Sequence, residues 1–298
     1  MFHDLLKDNG LSLERLNNFC AIAEAGSIAR VAKGDLAKQS LYSRQIKELE
    51  EFFQTELTRR KGRGIELTAS GKELARIARE HLQTIGDFKS NCLSNATEYR
   101  MGAGNSIFEW LLFPKFRAFQ ASHPNVGLSF INLQTNQILE GLFDHTLDFG
   151  YIRKSKLGSA RNLKLHSLGT FGYSLAVPQA WKSQKKAPHT IIAERPLAMV
   201  VGGELSQAFD AACKKAGIAY RINFGCGDLI QASRLVEMGA AAAILPNIAR
   251  QTLKNSSIIP LPFFSYQREL LLAWHPRLVS IRPGKTSSVI DSLKTIRI

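Results

Sequence analysis

KQSLYSRQIKELEEFF, residues 38–53, repeats apolar residues at spacings of three and four. Tyr42, Ile46, Leu49 and Phe53 therefore share one stripe of a helix. The other side, near the start, carries Gln39, Ser40, Ser43, Arg44 and Lys47, and the acids wait until Glu48, Glu50 and Glu51. Such a helix has one face for a core and one face that offers amide, hydroxyl and guanidinium groups. Keeping carboxylates off that second face suits a partner that is itself anionic.

The flanking sequence makes this helix the second member of a pair. Residues 12–33 read as helical with a break at Gly26–Ser27, and Leu13, Leu16, Phe19, Cys20 and Ala23 form an apolar stripe in the first piece. Ser27 is a natural N-cap for the piece IARVAKG, and Asp35 or a neighbour opens the quoted helix, because Lys38 is a poor cap. Two short helices on a tight connection, the second polar outside, match the helix-turn-helix pattern. TRRKGRGIELT, residues 58–68, follows with Arg59, Arg60, Lys61 and Arg63 around Gly62 and Gly64. It reads as a short hairpin with a basic tip, or more plainly as a solvated charged loop. Thr68 can cap a long helix over about 69–95. There Leu74, Ala78, Leu82 and Ile85 step at near-heptad spacing, which fits a dimer seam or a core helix of its own domain.

Composition sets the bounds. The chain has 298 residues, 45% of them hydrophobic, enough for two or three packed units. No apolar run approaches the ~20 residues that cross a bilayer, and the start MFHDLLKDNG lacks a signal-peptide pattern, so a cytoplasmic protein is expected. A net charge of +14 and a pI of 9.8 point to an anionic partner, nucleic acid first, although a basic ordinary protein would share them. Cys20, Cys92, Cys213 and Cys226 show no CxxC spacing and fit buried reduced thiols. The histidines show no ligand spacing, so neither a metal nor a cofactor is expected.

From about residue 98 the texture changes. Short apolar runs (YRMGAG, VGLSFINL, LDFGYIR, YSLAVP, LAMVVG, AAAAILP, ELLLAWHP) alternate with helical stretches such as FPKFRAFQASH, TNQILEGLFD and QAFDAACKKAG. This alternation predicts an α/β fold with largely parallel sheets.

These residues resemble the LysR-type transcriptional regulators. The stretch LNNFCAIAEAGSIARVAKGDLAKQSLYSRQIKELEEFFQTELTRRKGRGIELTASG is similar to that family's amino-terminal region without a gap. It carries Leu16, Phe19, Ala23–Glu24, Gly26–Ser27, Gln39, Ser43–Ile46, Leu49–Glu50, Arg60, Leu67–Thr68 and Gly71 in order. FPKFRAFQASHPNVGLSF, LDFGYIR, YSLAVP and LVEMGAAAAILP stand where the family's effector domain has comparable runs. The sequence departs at Lys38 and Ser40, where the family usually has Ser and Pro, and at Asp35 and Ala241.

The resemblance implies a winged helix-turn-helix over 1–68, a linker helix for dimerisation over 69–97 and an effector-binding domain over 98–298. That domain would resemble a periplasmic binding protein, with subdomains at about 98–165 plus 268–298 and at about 166–267. Implied partners are double-stranded promoter DNA, a small-molecule effector, a second copy or three in a dimer or tetramer, and RNA polymerase at the nucleoid. Gln39, Ser40, Ser43 and Arg44 are then candidate base readers, since Gln pairs with adenine and Arg with guanine. Lys38 and Lys47 would meet phosphate, as would Arg59, Arg60, Lys61 and Arg63. The Ser27 backbone N–H could do the same, beside its plain role as a cap.

Effector candidates are the residues at strand ends and helix starts: Asn105, Ser106, Thr135, Gly202, Gly203 and Asp228. Helix starts favour anions, which suggests a carboxylate effector; Glu204 nearby, and Ser206–Gln207 where the family often has arginine, argue the other way. A redox-responsive regulator of the same fold is the alternative, but Cys213 stands alone on its segment. An enzyme reading has little to stand on: Gly102 and Gly104 lack a third glycine, and no catalytic constellation is present.

Overall fold

The computed structural model describes residues 10–62, 64–92, 97–156, 162–184, 186–281 and 284–298. Three helices come first among the described residues: α1 (Leu13–Ala25), α2 (Ile28–Val31) and α3 (Leu36–Phe53). Ser12 caps α1 by accepting from the Arg15 N–H, and Gly26 ends it at φ 63°, a left-handed turn that favours glycine. Ser27 caps α2 and Asp35 caps α3, each by accepting a backbone N–H three residues on. Both capping expectations hold, and Asp35 takes the place that Lys38 could not fill.

One apolar core holds this reading head together. Phe19 and Ile22 of α1 meet Ile46 and Leu49 of α3, with Leu57 and Ala75 closing the cluster. Buried Gln45 of α3 accepts a 2.9 Å hydrogen bond from the Asn18 amide of α1, which fixes the register of the two helices. The hairpin β1 (Thr58–Lys61) and β2 (Gly64–Leu67) follows antiparallel, the wing predicted from the basic tip. Helix α4 (Ala69–Cys92) is capped by Thr68, whose hydroxyl accepts from the Gly71 N–H.

The remainder is α/β. Strands β3 (Thr97–Ala103), β4 (Val126–Asn132), β5 (Phe149–Arg153), β6 (Lys164–Pro178), β7 (Leu197–Val200), β8 (Ile222–Cys226), β9 (Ala242–Pro246), β10 (Ser256–Ile259) and β11 (Gln267–Trp274) form one sheet. Its order is β4-β3-β5-β11-β6-β9-β7-β8, with β10 on β6. The outer pairs β3/β4, β3/β5, β7/β8 and β7/β9 are parallel, as expected. The centre is not: β11 is antiparallel to β5 and β6, and β6 is antiparallel to β9. β6 runs fifteen residues, pairing with β11 up to Gly172 and with β9 from Tyr173. β6 and β11 thus carry the chain between two lobes. Alternation of strand and helix cannot reveal two returning strands of this kind, and β10, a short SSII run, was not foreseen.

Helices cover the lobes: α5 (Asn105–Ile107), α6 (Phe113–Ser122), α7 (Thr135–Phe143), α8 (Pro188–Glu194), α9 (Gly203–Lys215), α10 (Leu229–Glu237), α11 (Arg277–Ile281) and α12 (Lys285–Lys294). Between α5 and α6 the chain winds as a π-helix over Phe108–Leu112, an element often found at functional sites. It drives Trp110 into a cluster made largely of Ala176, Ala198, Ala232, Ala241, Ala243 and Ala249. The alanine run at 240–243 therefore makes room for an indole from the other lobe.

Gly71 sits buried in the first turn of α4, where an added Cβ would overlap the Leu57 carbonyl. Gly71→Ala should cost about 1–3 kcal/mol of overpacking. Thermal unfolding should show this as a lower Tm for the amino-terminal transition, with the α/β transition unmoved.

Candidate nucleic-acid interface and ligand cleft

The core of the reading head decides which way α3 faces. With Ile46 and Leu49 turned inward, Lys38, Ser40, Ser43, Arg44 and Lys47 are exposed and Gln39 is half-buried. The side chains of Gln39, Ser40, Ser43 and Lys47 make no hydrogen bond or ion pair with a described residue, so their capacity is unspent. Lys38 lies 3.9 Å from Asp35, and Arg44 lies 3.5 Å from Glu48, which also holds Arg15 at 2.7 Å. Both partnered cations remain mostly exposed, and pairs of this kind exchange readily for phosphate or base.

The wing is pinned to this face at two points. Glu50 of α3 accepts from the backbone N–H groups of Leu57 and Thr58, at 2.9 and 3.0 Å. The Ile65 N–H donates to the Gly26 carbonyl at the α1–α2 turn, at 2.9 Å. Glu50 is thus spent on anchoring the wing, which explains an acid so near the polar stripe. Arg59, Arg60 and Lys61 are exposed on β1; Arg59 lies 3.6 Å from Glu56 and Lys61 lies 3.0 Å from Glu66, while Arg60 has no ion-pair partner among the described residues. The expected role of Arg63 falls outside the described residues.

Along α4 the structure redistributes the expected seam. Ala78 is buried within the chain, and half-buried Leu74 packs on the reading-head core. Leu82 is half-buried. The exposed apolar side chains are Ile77, Ile85 and Phe88, the last at 70%. A heptad count gives the spacing but not which of two apolar stripes the chain consumes itself.

The strand-end residues of the α/β unit stand at helix starts in both lobes. Asn105 and Ser106 open α5, which lies beside α10, and Thr135 opens α7. Gly202 and Gly203 are exposed at the start of α9, both at φ 80°. Asp228 is spent as the cap of α10, accepting from the Gln231 N–H at 2.8 Å. None of these six lines the cavity beside the start of β11. That cavity, about 270 Å³, is lined by Arg153, Ser155, Glu204, Tyr266, Gln267, Arg268 and Glu269. Helix-start reasoning chose Gly203 and noted Glu204 beside it only as a charge near the cleft. Arg153, the basic end of LDFGYIR, was a visible signal; Tyr266 and Arg268 depend on the β11 crossover.

Residues 94–286 match the LysR substrate binding domain, and residues 13–72 match the bacterial regulatory helix-turn-helix protein, lysR family. This chain belongs to the LysR family. It is accordingly a DNA-binding transcriptional regulator with an effector-binding domain, in a family of regulators rather than enzymes. It is 27% identical over 247 residues to the HTH-type transcriptional regulator DgdR of Burkholderia cepacia, covering 80% of this chain and 79% of that one. Among solved structures, full-length CbnR complexed with its target DNA aligns at TM-score 0.57 and 22% identity, over 95% of this chain and all of that one. ArgP from Mycobacterium tuberculosis aligns at TM-score 0.67 and 15% identity, over 96% and 97%. Both likenesses speak to fold.

The linker helix of this LysR protein is joined to its effector domain by a buried carboxylate that the sequence did not flag. Glu80 of α4 is 3% exposed. It pairs with Arg277, and has Arg76 at 3.6 Å and His145 at 3.8 Å. Arg79 donates to the Asp144 carbonyl, and Gln83 donates to Asp148, which also accepts from the Arg100 N–H. His145 and His275 stack edge-on beside this group at 4.8 Å. Desolvation, reinforced by His275, Arg76 and Arg79, lowers the His145 pKa to about 4; desolvation and Arg76 lower that of His275.

The folded chain therefore resists protonation that the unfolded chain accepts near pH 6.5. No cost arises above that pH. As pH falls from about 6.5 toward 4, stability should drop by up to about 3 kcal/mol through His145. His145 has φ 55°, a left-handed conformation that asparagine tolerates. Denaturant midpoints measured across this window should be flatter for His145→Asn than for the wild type.

Proposed function

We propose that α3 reads base edges in the major groove through Gln39, Ser40, Ser43 and Arg44, while Lys38 and Lys47 rest on phosphate. The observation that carries this reading is an exposed polar stripe with unspent hydrogen-bonding groups, held outward by the apolar core beneath it. Arg59, Arg60 and Lys61 extend along the wing toward the backbone or the adjacent minor groove. Ser27 fixes the start of α2 and leaves a helix N-terminus for a phosphate.

Self-association through Ile77, Ile85 and Phe88 of α4, as a dimer or tetramer, would place two or more such heads on one promoter. A small molecule bound between the lobes would shift their angle. The Glu80 junction offers a route by which that shift reaches α4, provided that the ligand favours one angle over the other. Action through RNA polymerase, in the cytoplasm at the nucleoid, completes the proposal. It is consistent with the absence, among the described residues, of a helix long and apolar enough to cross a membrane.

Arg44→Ala tests the reading. Lost bidentate base contact should weaken binding to the selected site by ~1–3 kcal/mol and binding to random DNA much less. Titration of both DNAs at one salt concentration measures the difference; equal losses would place Arg44 on phosphate instead.

A further inference from the structure

The cavity between the lobes has an uneven charge balance. Arg268 of β11 lies beside a contacting pair of aromatic rings, its guanidinium carbon 5.2 Å from the Tyr266 ring centre and 5.8 Å from that of Tyr173. Its Nε donates to the Tyr266 hydroxyl at 3.0 Å. A terminal nitrogen lies 3.4 Å from a Glu204 oxygen, which also accepts from the Tyr266 hydroxyl at 3.4 Å. Arg268 is almost wholly enclosed, whereas Glu204 is about one-third exposed and enters from α9 on the other lobe. The second arginine, Arg153, faces the same space and makes no hydrogen bond or ion pair with a described residue. Desolvation first and the Arg268 charge second lower its pKa, while Tyr173, Glu204 and Tyr266 act the other way. Glu269, the other acid on the wall, is already bound to Lys154 and Ser167. Among the described lining residues, two guanidinium groups thus face the Glu204 carboxylate.

We propose that this cavity binds a small organic carboxylate across Arg153 and Arg268, and that Glu204 occupies part of the site in its absence as a tethered competitor. The inference rests on the reading of the interlobe cleft as the effector site and names the class of ligand. Two planar forks side by side suit a carboxylate, which each can meet bidentately. The ring of Tyr266 provides an apolar face for the rest of the molecule. The ligand's carboxylate would take the place of the Glu204 oxygen on Arg268 and supply Arg153 with the partner it lacks. Glu204 bridges α9 to the crossover strand β11, so its release would also free one lobe from the other.

Binding of propionate, benzoate and lactate to the full-length protein, each compared with its amide, and of benzylamine, tests this by calorimetry. Expected are at least one carboxylate that binds where its amide does not, affinity raised tenfold or more by Glu204→Gln, and affinity lowered tenfold or more by Arg153→Ala, with Arg153→Lys between. Amides or benzylamine binding as well as the carboxylates would overturn the inference. So would indifference to Arg153→Ala, or a Glu204→Gln protein that binds no carboxylate better than the wild type. A footprint taken with the bound carboxylate separates the two readings. Arginine-dependent binding that leaves the footprint unchanged would keep the ligand class and remove this cavity from regulation.

Discussion

Everything that this reading head can do depends on which side of α3 is buried. Ile46 and Leu49 against Phe19 and Ile22 fix the rotation of the helix about its own axis, and the Gln45–Asn18 hydrogen bond fixes its slide along α1. A rotation by one residue, about 100°, would carry the Gln39–Ser43–Arg44 stripe off the exposed face. The wing inherits this arrangement, because Glu50 holds its first strand and the Gly26 carbonyl holds its second. An apolar core of modest size therefore aims a polar surface that contributes little to the fold.

The second constraint is electrostatic. A carboxylate as buried as Glu80 is tolerated only when cations and hydrogen bonds surround it. Here the cations come from both sides of a joint, Arg76 from the linker helix itself and Arg277 from the effector domain. Separating α4 from the lobes would leave those groups poorly matched. The joint is therefore costly to open and suited to transmit a change of angle, in contrast to a chain of exposed ion pairs. The lowered histidine pKa values beside it are a by-product of the same burial.

The amino-terminal half was legible because its signals are local. Apolar spacing, the caps Ser27 and Asp35, Thr68 before α4 and the basic hairpin each act within a few residues, and each was found where expected. The effector domain was legible as α/β but not in its centre, since the antiparallel crossing of β6 and β11 joins residues about a hundred positions apart. The same long-range pairing hid Arg268 and Tyr266 from a search of strand ends. Asp228 shows the converse: a polar residue at a helix start satisfied its own backbone. On α4, Leu74 and Ala78 pack within the chain itself, a choice that periodicity cannot make.

The central claim is that this LysR regulator reads sequence through α3 as a multimer. Selection of bound fragments from genomic DNA, followed by footprinting at moderate and high salt, tests it most directly. A multimer that reads sequence through α3 should protect an interrupted palindrome over several helical turns, with protection outlasting the loss of random-DNA binding as salt rises. Binding that is blind to sequence and vanishes uniformly with salt would contradict it, and would mean that the exposed stripe of α3 holds DNA without reading it.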